Sequence, residues 1–231
     1  MEIREFFEEG NLRMKKGAAG VADRIPVTGQ MSVHSARLLG ESTLDFFADA
    51  ELFLRCELTA DVFYGLDTPT IHYDVYNIES EALGAELIKR EEQIPAIDAR
   101  KPLLRGTKDF VTLPPIKMGL SARMPYVLEI NSRLMDMGLA PKIRFTGPFT
   151  FAANLLGLEE LIMEILTDPE GVHRLIKFLT VEVLAPWIVC QREHCGRKDT
   201  ATGSEALASP PLTTVGMLRE FCLQYIEELE K

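Results

Sequence analysis

The chain has 231 residues, 46% hydrophobic and 26% charged, which is enough apolar side chain to bury a large core in one domain and too much for a disordered polypeptide. Its 35 acidic and 25 basic residues leave a net charge of −10, and the Lys and Arg are scattered, so a nucleic-acid backbone is a poor partner. No apolar run approaches the ~20 residues of a bilayer span, and the N-terminus is acidic where a leader peptide is basic, so a cytoplasmic protein with no membrane partner is expected.

Residues 1–22 read as a short charged helix and a lead-in through Lys16-Gly17-Ala18-Ala19-Gly20. At Asp23-Arg24-Ile25-Pro26-Val27, Ile25 and Val27 suggest a first strand, with Pro26 removing one ladder donor. Over 45–64 the apolar Phe47, Leu54, Leu58 and Val62 fall at helical spacing, and Gly65 stops the helix. The stretch from Thr70 to Gly84 carries most information. A second strand over 70–74 would put His72 and Asp74 on one face and Tyr73 on the other. A carboxylate at the C-terminal end of such a strand is where α/β folds place chemistry.

A helix near 79–84 follows, then a charged, Pro-punctuated connection to about 117, of the kind that wraps a scaffold or covers a site. A helix over 122–137 ends at Gly138, Lys142 to Gly147 reads as a third strand, and Pro148 with Thr150 opens the next helix. Helices near 158–166 and 169–190 come next. Asp168 is the N-cap of the second, and Pro186 kinks or ends it. A weak fourth strand over 200–207 and a last helix from Thr213 or Thr214 complete the order βαβαβααβα. That order implies a parallel sheet with right-handed crossovers, although four strands are few for a closed barrel of eight.

The four cysteines form no CxxC pair, and reduced thiols are expected. Cys190, His194 and Cys195 could approach one metal on a helix, but structural zinc takes four ligands and no second cluster completes this one.

In sequence order, Asp23-Arg24-Ile25-Pro26-Val27, Tyr64-Gly65-Leu66-Asp67, Tyr73-Asp74-Val75-Tyr76-Asn77-Ile78-Glu79, Gly147-Pro148-Phe149-Thr150 and Ala208-Ser209-Pro210-Pro211-Leu212 resemble the uroporphyrinogen decarboxylase superfamily, and within it the corrinoid-dependent methyltransferases most. The resemblance implies an α/β fold in which residues 23–231 form the first half, about four β/α units, of a TIM-type (β/α)8 barrel, apparently truncated. It implies methyl transfer from a methylcorrinoid (cobalamin-type) protein to a thiol or similar small-molecule acceptor. It also implies a catalytic zinc held by a His-x-Cys motif and a later Cys of the second half, neither of which is present. One alternative is a porphyrinogen decarboxylase; those members carry an Arg-rich loop after the first strand, where residues 29–37 here hold only Arg37. The other is an inactive half-barrel that pairs with a second copy or with a companion half.

The candidate catalytic residues are Asp74, which falls where the decarboxylases keep an aspartate beside the pyrrole nitrogens, and His34 in the first mouth loop. Gln30 in that loop, Asn77 and Glu81 after the second strand, Phe149 and Thr150 at a helix start whose N–H groups suit an anionic or carbonyl ligand, and Glu205 near the end of the fourth strand are candidate substrate contacts. Capping or simple solvation is the competing reading for Asn77, Glu81, Thr150 and Glu205.

Overall fold

Helices dominate the computed structural model, which describes residues 2–196 and 201–230. In chain order, α1 (Ile3–Ala18), α2 (Val33–Leu38), α3 (Thr43–Phe46), α4 (Ala50–Tyr64) and α5 (Ile78–Ala82) precede the strands β1 (Leu87–Ile88) and β2 (Ala96–Ile97). A 3-10 turn at Thr107–Thr112 leads to α6 (Met124–Asp136), β3 (Arg144–Thr146), α7 (Pro148–Leu156), α8 (Leu158–Thr167) and α9 (Pro169–Phe178). A π-helical turn at Leu179–Leu184 joins α9 to α10 (Ala185–His194), and β4 (Thr202–Ser204), α11 (Val215–Leu218) and α12 (Gln224–Leu229) follow. No helix among the described residues is long and apolar enough to cross a membrane.

Two of the four expected strands form, as β3 and β4, and they pair in parallel with Phe145 opposite Gly203. The segments 25–27 and 70–74 carry no strand. Side chains take their backbone groups instead: the Asp67 carboxylate accepts the Val27 N–H at 2.7 Å, and Asp61 accepts the Thr70 N–H at 2.8 Å. Burial over 71–75 does not alternate either, with Ile71, Tyr73, Asp74 and Val75 all buried. Conversely, the connection expected to be irregular contains the antiparallel pair β1 and β2. The helix at 169 does not stop at Pro186. Proline offers no N–H to the preceding turn and its ring crowds the carbonyl four residues back, and the π-helical turn just before it lets the helix run on to His194.

The chain divides into two compact units. The first comprises the residues up to Asp74 with Lys89–Ile94 and Glu129–Lys142. Its core gathers Phe7 of α1, Phe46, Phe53 and Leu54, with the Phe46 and Phe53 rings 4.8 Å apart. Helix α1 is packed closely here: a Cβ on Gly10 would stand 2.1 Å from the Asp67 carbonyl oxygen. Asp67, 1% exposed, also binds Arg13 at 2.6 Å and Arg24 at 2.8 Å. Burial works to raise its pKa, but the Val27 N–H and the two guanidinium groups outweigh it and hold Asp67 below the usual carboxylate range. The motifs around Arg24 and Asp67 therefore meet as a structural clasp.

The second unit comprises Val75–Ile88, Pro95–Leu128 and the residues from Ile143 onward. Phe149, Phe151, Leu161, Leu175, Leu179, Trp187 and Phe221 fill its core. The edge of β3 away from β4 is covered by side chains. Gln191 accepts the Arg144 N–H at 3.2 Å and donates to the Arg144 carbonyl at 2.9 Å, and Glu79 accepts the Thr146 N–H at 3.0 Å. Such covering protects an edge that would otherwise offer unpaired donors and acceptors.

Candidate functional site

In the first unit the loop 28–34 leads into α2. Gln30 and His34 are exposed, and His34 Nε2 lies 2.9 Å from the Tyr64 hydroxyl at the end of α4. Between them Ser32 adopts φ 45° and ψ −126°, a conformation that L residues rarely hold, and its buried Oγ has no hydrogen-bond partner. Beneath the loop lies a group of polar side chains: Ser35 and Glu57 are 0% exposed, as is Asp61, and Thr70 is 2% exposed. Ser35 Oγ is 2.6 Å from the Ser32 carbonyl oxygen and 2.6 Å from Glu57 Oε1, while Thr70 Oγ1 is 2.5 Å from Asp61 and 3.2 Å from Glu57. Burial first, then the Asp61 charge, pushes Glu57 up to about 8 against the Ser35 and Thr70 hydroxyls and the His72 N–H. Burial likewise lifts Asp61 to about 6, opposed by the Thr70 hydroxyl and N–H. Asp74 is 3% exposed at the end of the 70–74 segment.

The second unit brings three of the expected residues together. Glu205, one residue beyond β4, accepts the Phe149 N–H at 2.8 Å, the Thr150 N–H at 2.9 Å and the Thr150 hydroxyl at 2.7 Å. The Glu205 side chain thus caps the N-terminus of α7, the helix start at which an anionic or carbonyl ligand was expected. Phe149 is 1% exposed and belongs to the core. Gly147 makes the approach possible, because a Cβ there would stand 2.2 Å from Glu205 Cγ and Cδ.

Asn77 precedes α5 without capping it, and its side-chain N–H donates to the Pro95 carbonyl at 2.9 Å. Glu81 pairs with Arg123 at 2.5 Å, both side chains largely buried. A cavity of about 500 Å³ is lined by Glu205 and Arg192 together with Phe145, Ile188, Ile226 and Leu229. That volume lies within the range of small-molecule pockets.

Burial pushes Cys56 up to about 11, and burial with the nearby Glu205 charge pushes Cys222 up to about 12. No three His, Cys, Asp or Glu side chains converge on a metal-sized point among the described residues. Zinc of the kind the resemblance implies does not fit these residues.

Glu57, Asp61 and Glu79 escaped the sequence reading. For the first two a signal existed: Leu54, Glu57, Leu58 and Asp61 share one helical face, so two acids lie on an apolar stripe. Glu79 had no comparable signal, since the Thr146 it binds lies 67 residues away.

Three comparisons bear on this arrangement. A methylated-thiol–coenzyme M methyltransferase of Methanosarcina mazei is 28% identical over 176 residues, covering 72% of this chain and 44% of the relative. The chain thus spans less than half the length of that curated relative. A solved structure described as a methyltransferase from Methanosarcina mazei superposes with a TM-score of 0.68 at 19% identity, over 95% of this chain and 66% of its own, and shares the fold. The sequence model for uroporphyrinogen decarboxylase (URO-D) matches residues 12–229, and the chain belongs to that family.

Proposed function

We propose that this chain takes part in methyl transfer, from a methylated corrinoid carried on a partner protein to a thiol or similar small acceptor. It supplies part of a barrel of the uroporphyrinogen decarboxylase type, with β3 and β4 as parallel strands of that part, and a further part completes it. The observation that carries the reading is the 28% identity to a methylated-thiol methyltransferase over most of the chain. The mouth loop supports it against decarboxylation. Arg37, the one cation of residues 29–37, is 57% exposed and lies 3.5 Å from Glu92, so that window offers a polycarboxylate no cluster of positive groups.

In methyl transfer the acceptor sulfur must lose its proton before its electron pair bonds the methyl carbon, and the donor's bond to that carbon breaks as it forms. A zinc site would promote that proton loss by lowering the thiol pKa, but its ligands are not among the described residues. The tasks left to this chain are positioning ones. Gln30 and His34 stand exposed on one loop with hydrogen-bonding groups to offer. Asp74, buried at the end of its segment, orients a donor on substrate or protein.

Incubating the chain with methylcobalamin and coenzyme M tests this, with the uncovered C-terminal part of the M. mazei relative present or absent. Free coenzyme M should be consumed only when both halves are present, and less rapidly with Asp74→Ala. No consumption in either mixture, with release of carbon dioxide from uroporphyrinogen instead, overturns the reading.

A further inference from the structure

The polar group under the loop 28–34 has more acceptors than its hydroxyl protons can serve. Ser35 carries one hydroxyl hydrogen, yet its Oγ stands 2.6 Å from two acceptors, the Ser32 carbonyl oxygen and Glu57 Oε1. Thr70 likewise has one hydroxyl hydrogen between Asp61 at 2.5 Å and Glu57 at 3.2 Å, and its N–H is already given to Asp61. If both acids were ionised, Ser35 would face one of its two close oxygens lone pair to lone pair, in a site with no exposed member to relieve it. One added proton on Glu57 removes the Ser35 conflict and leaves only the longest contact, Thr70 Oγ1 to Glu57 at 3.2 Å, without a hydrogen. The acid hydrogen goes to Ser35 Oγ, Ser35 gives its own to the Ser32 carbonyl, and Thr70 gives its own to Asp61.

We infer that Glu57 is a proton-bearing positioning residue, whose neutral acid form latches the strained Ser32 through Ser35 and so fixes the loop that presents Gln30 and His34. The latch stands on the geometry alone, and only its bearing on catalysis rests on the methyl-transfer reading. Ser32 needs such a fastening, because a serine held at φ 45° relaxes unless its surroundings fix it.

The charged groups nearby leave Glu57 to one charged neighbour. On α2, Arg37 faces Glu92 and His34 faces the Tyr64 hydroxyl; on α4, Arg55 faces Glu41. The 70–72 segment presents the Thr70 hydroxyl and the His72 N–H, so the charge bearing on Glu57 is that of Asp61 on its own helix.

Hydrogen exchange of the amides at 31–36 reads the latch directly. Opening the loop lets Glu57 ionise, so opening should become easier as pH rises through the interval in which the closed state alone keeps the proton. Asp61 contributes with the same sign only up to about pH 6, which leaves pH 6 to 8 to Glu57. Over that window the exchange rate, divided by the intrinsic rate, should rise up to about tenfold per pH unit and level off above it.

Glu57→Gln, which keeps a donor for Ser35 and an acceptor for the His72 N–H, should leave the loop protected and abolish the slope. Ser35→Ala, which cuts the latch at its hydroxyl and keeps the Glu57 carboxyl, should raise exchange at every pH while helix content by circular dichroism is unchanged. A flat wild-type profile between pH 6 and 8 overturns the inference, as does a slope that survives in Glu57→Gln. Because the readout needs no substrate, it separates failure of the latch from failure of the methyl-transfer reading.

Discussion

Buried acids are handled in opposite ways in the two units. Around α4, Glu57 sits between the Ser35 and Thr70 hydroxyls, which can turn to donate or accept and so tolerate an acid in either protonation state. Around β3 and β4, Glu205 takes two backbone N–H groups, which only donate, together with the Thr150 hydroxyl. A fixed donor favours the ionised acid, whereas burial among rotatable hydroxyls leaves desolvation to push the proton on. The lesson is local: the same side chain becomes a latch in one unit and a helix cap in the other.

The largest expected effect tests the sign of that difference. Glu57 rises from an ordinary 4.5 to about 8 in the fold, so the folded chain keeps a proton that the unfolded chain releases across that interval. Stability therefore falls as pH rises from 4.5 to 8, by up to about 1.4 kcal/mol per unit, and is level above. Asp61, lifted from 3.8 to about 6, works in the same direction at lower pH. Glu57→Gln removes the proton uptake, so urea unfolding should find it progressively more stable than wild type, by up to about 4 kcal/mol at pH 8. A variant less stable than wild type at pH 8 would show that the acid is ionised in place.

Glu79 should respond in the other direction. Glu79→Leu leaves the buried Thr146 N–H without its acceptor, while the Thr146 hydroxyl keeps the Val75 carbonyl at 3.0 Å. A loss of about 2–3 kcal/mol at neutral pH is expected from the shift in urea midpoint.

How much of this was legible follows from the range over which each interaction acts. Strand β3 and the start of α7 were readable because a short apolar run and Pro148 are local signals, and β4 was readable, if weakly, for the same reason. The segments 25–27 and 70–74 look like strands by composition. They form none because carboxylates 40 and 9 residues distant claim the Val27 and Thr70 N–H groups, a competition that periodicity does not encode. Phe149, Thr150 and Glu205 each carry a local signal, a helix start for the first two and a strand end for the third. Their meeting was hidden, since Glu205 lies 55 residues beyond Thr150 and reaches it only once β3 and β4 pair.

A smaller effect is expected at Gly147. Gly147→Ala places a Cβ against Glu205 and must drive the carboxylate off the α7 N–H groups or bend the strand end, at about 1–2 kcal/mol. Glu205→Gln keeps one acceptor for two N–H groups and should cost about the same. If the two substitutions act through one bond set, the double variant should lose clearly less than the sum of the single losses in a double-mutant cycle.

The smallest stability change belongs to His34, and that smallness makes it useful. Its ring is exposed and its bond to the Tyr64 hydroxyl lies at the surface, so His34→Ala strands no buried group and should cost no more than about 0.5 kcal/mol. The Glu57 latch acts on the Ser32 backbone rather than on the imidazole, so loop exchange should be unchanged as well. A fall in methyl transfer by this variant, in the two-half mixture, would then be assignable to the lost ring and not to a loosened loop. Unchanged turnover would remove His34 from the site while leaving the latch intact.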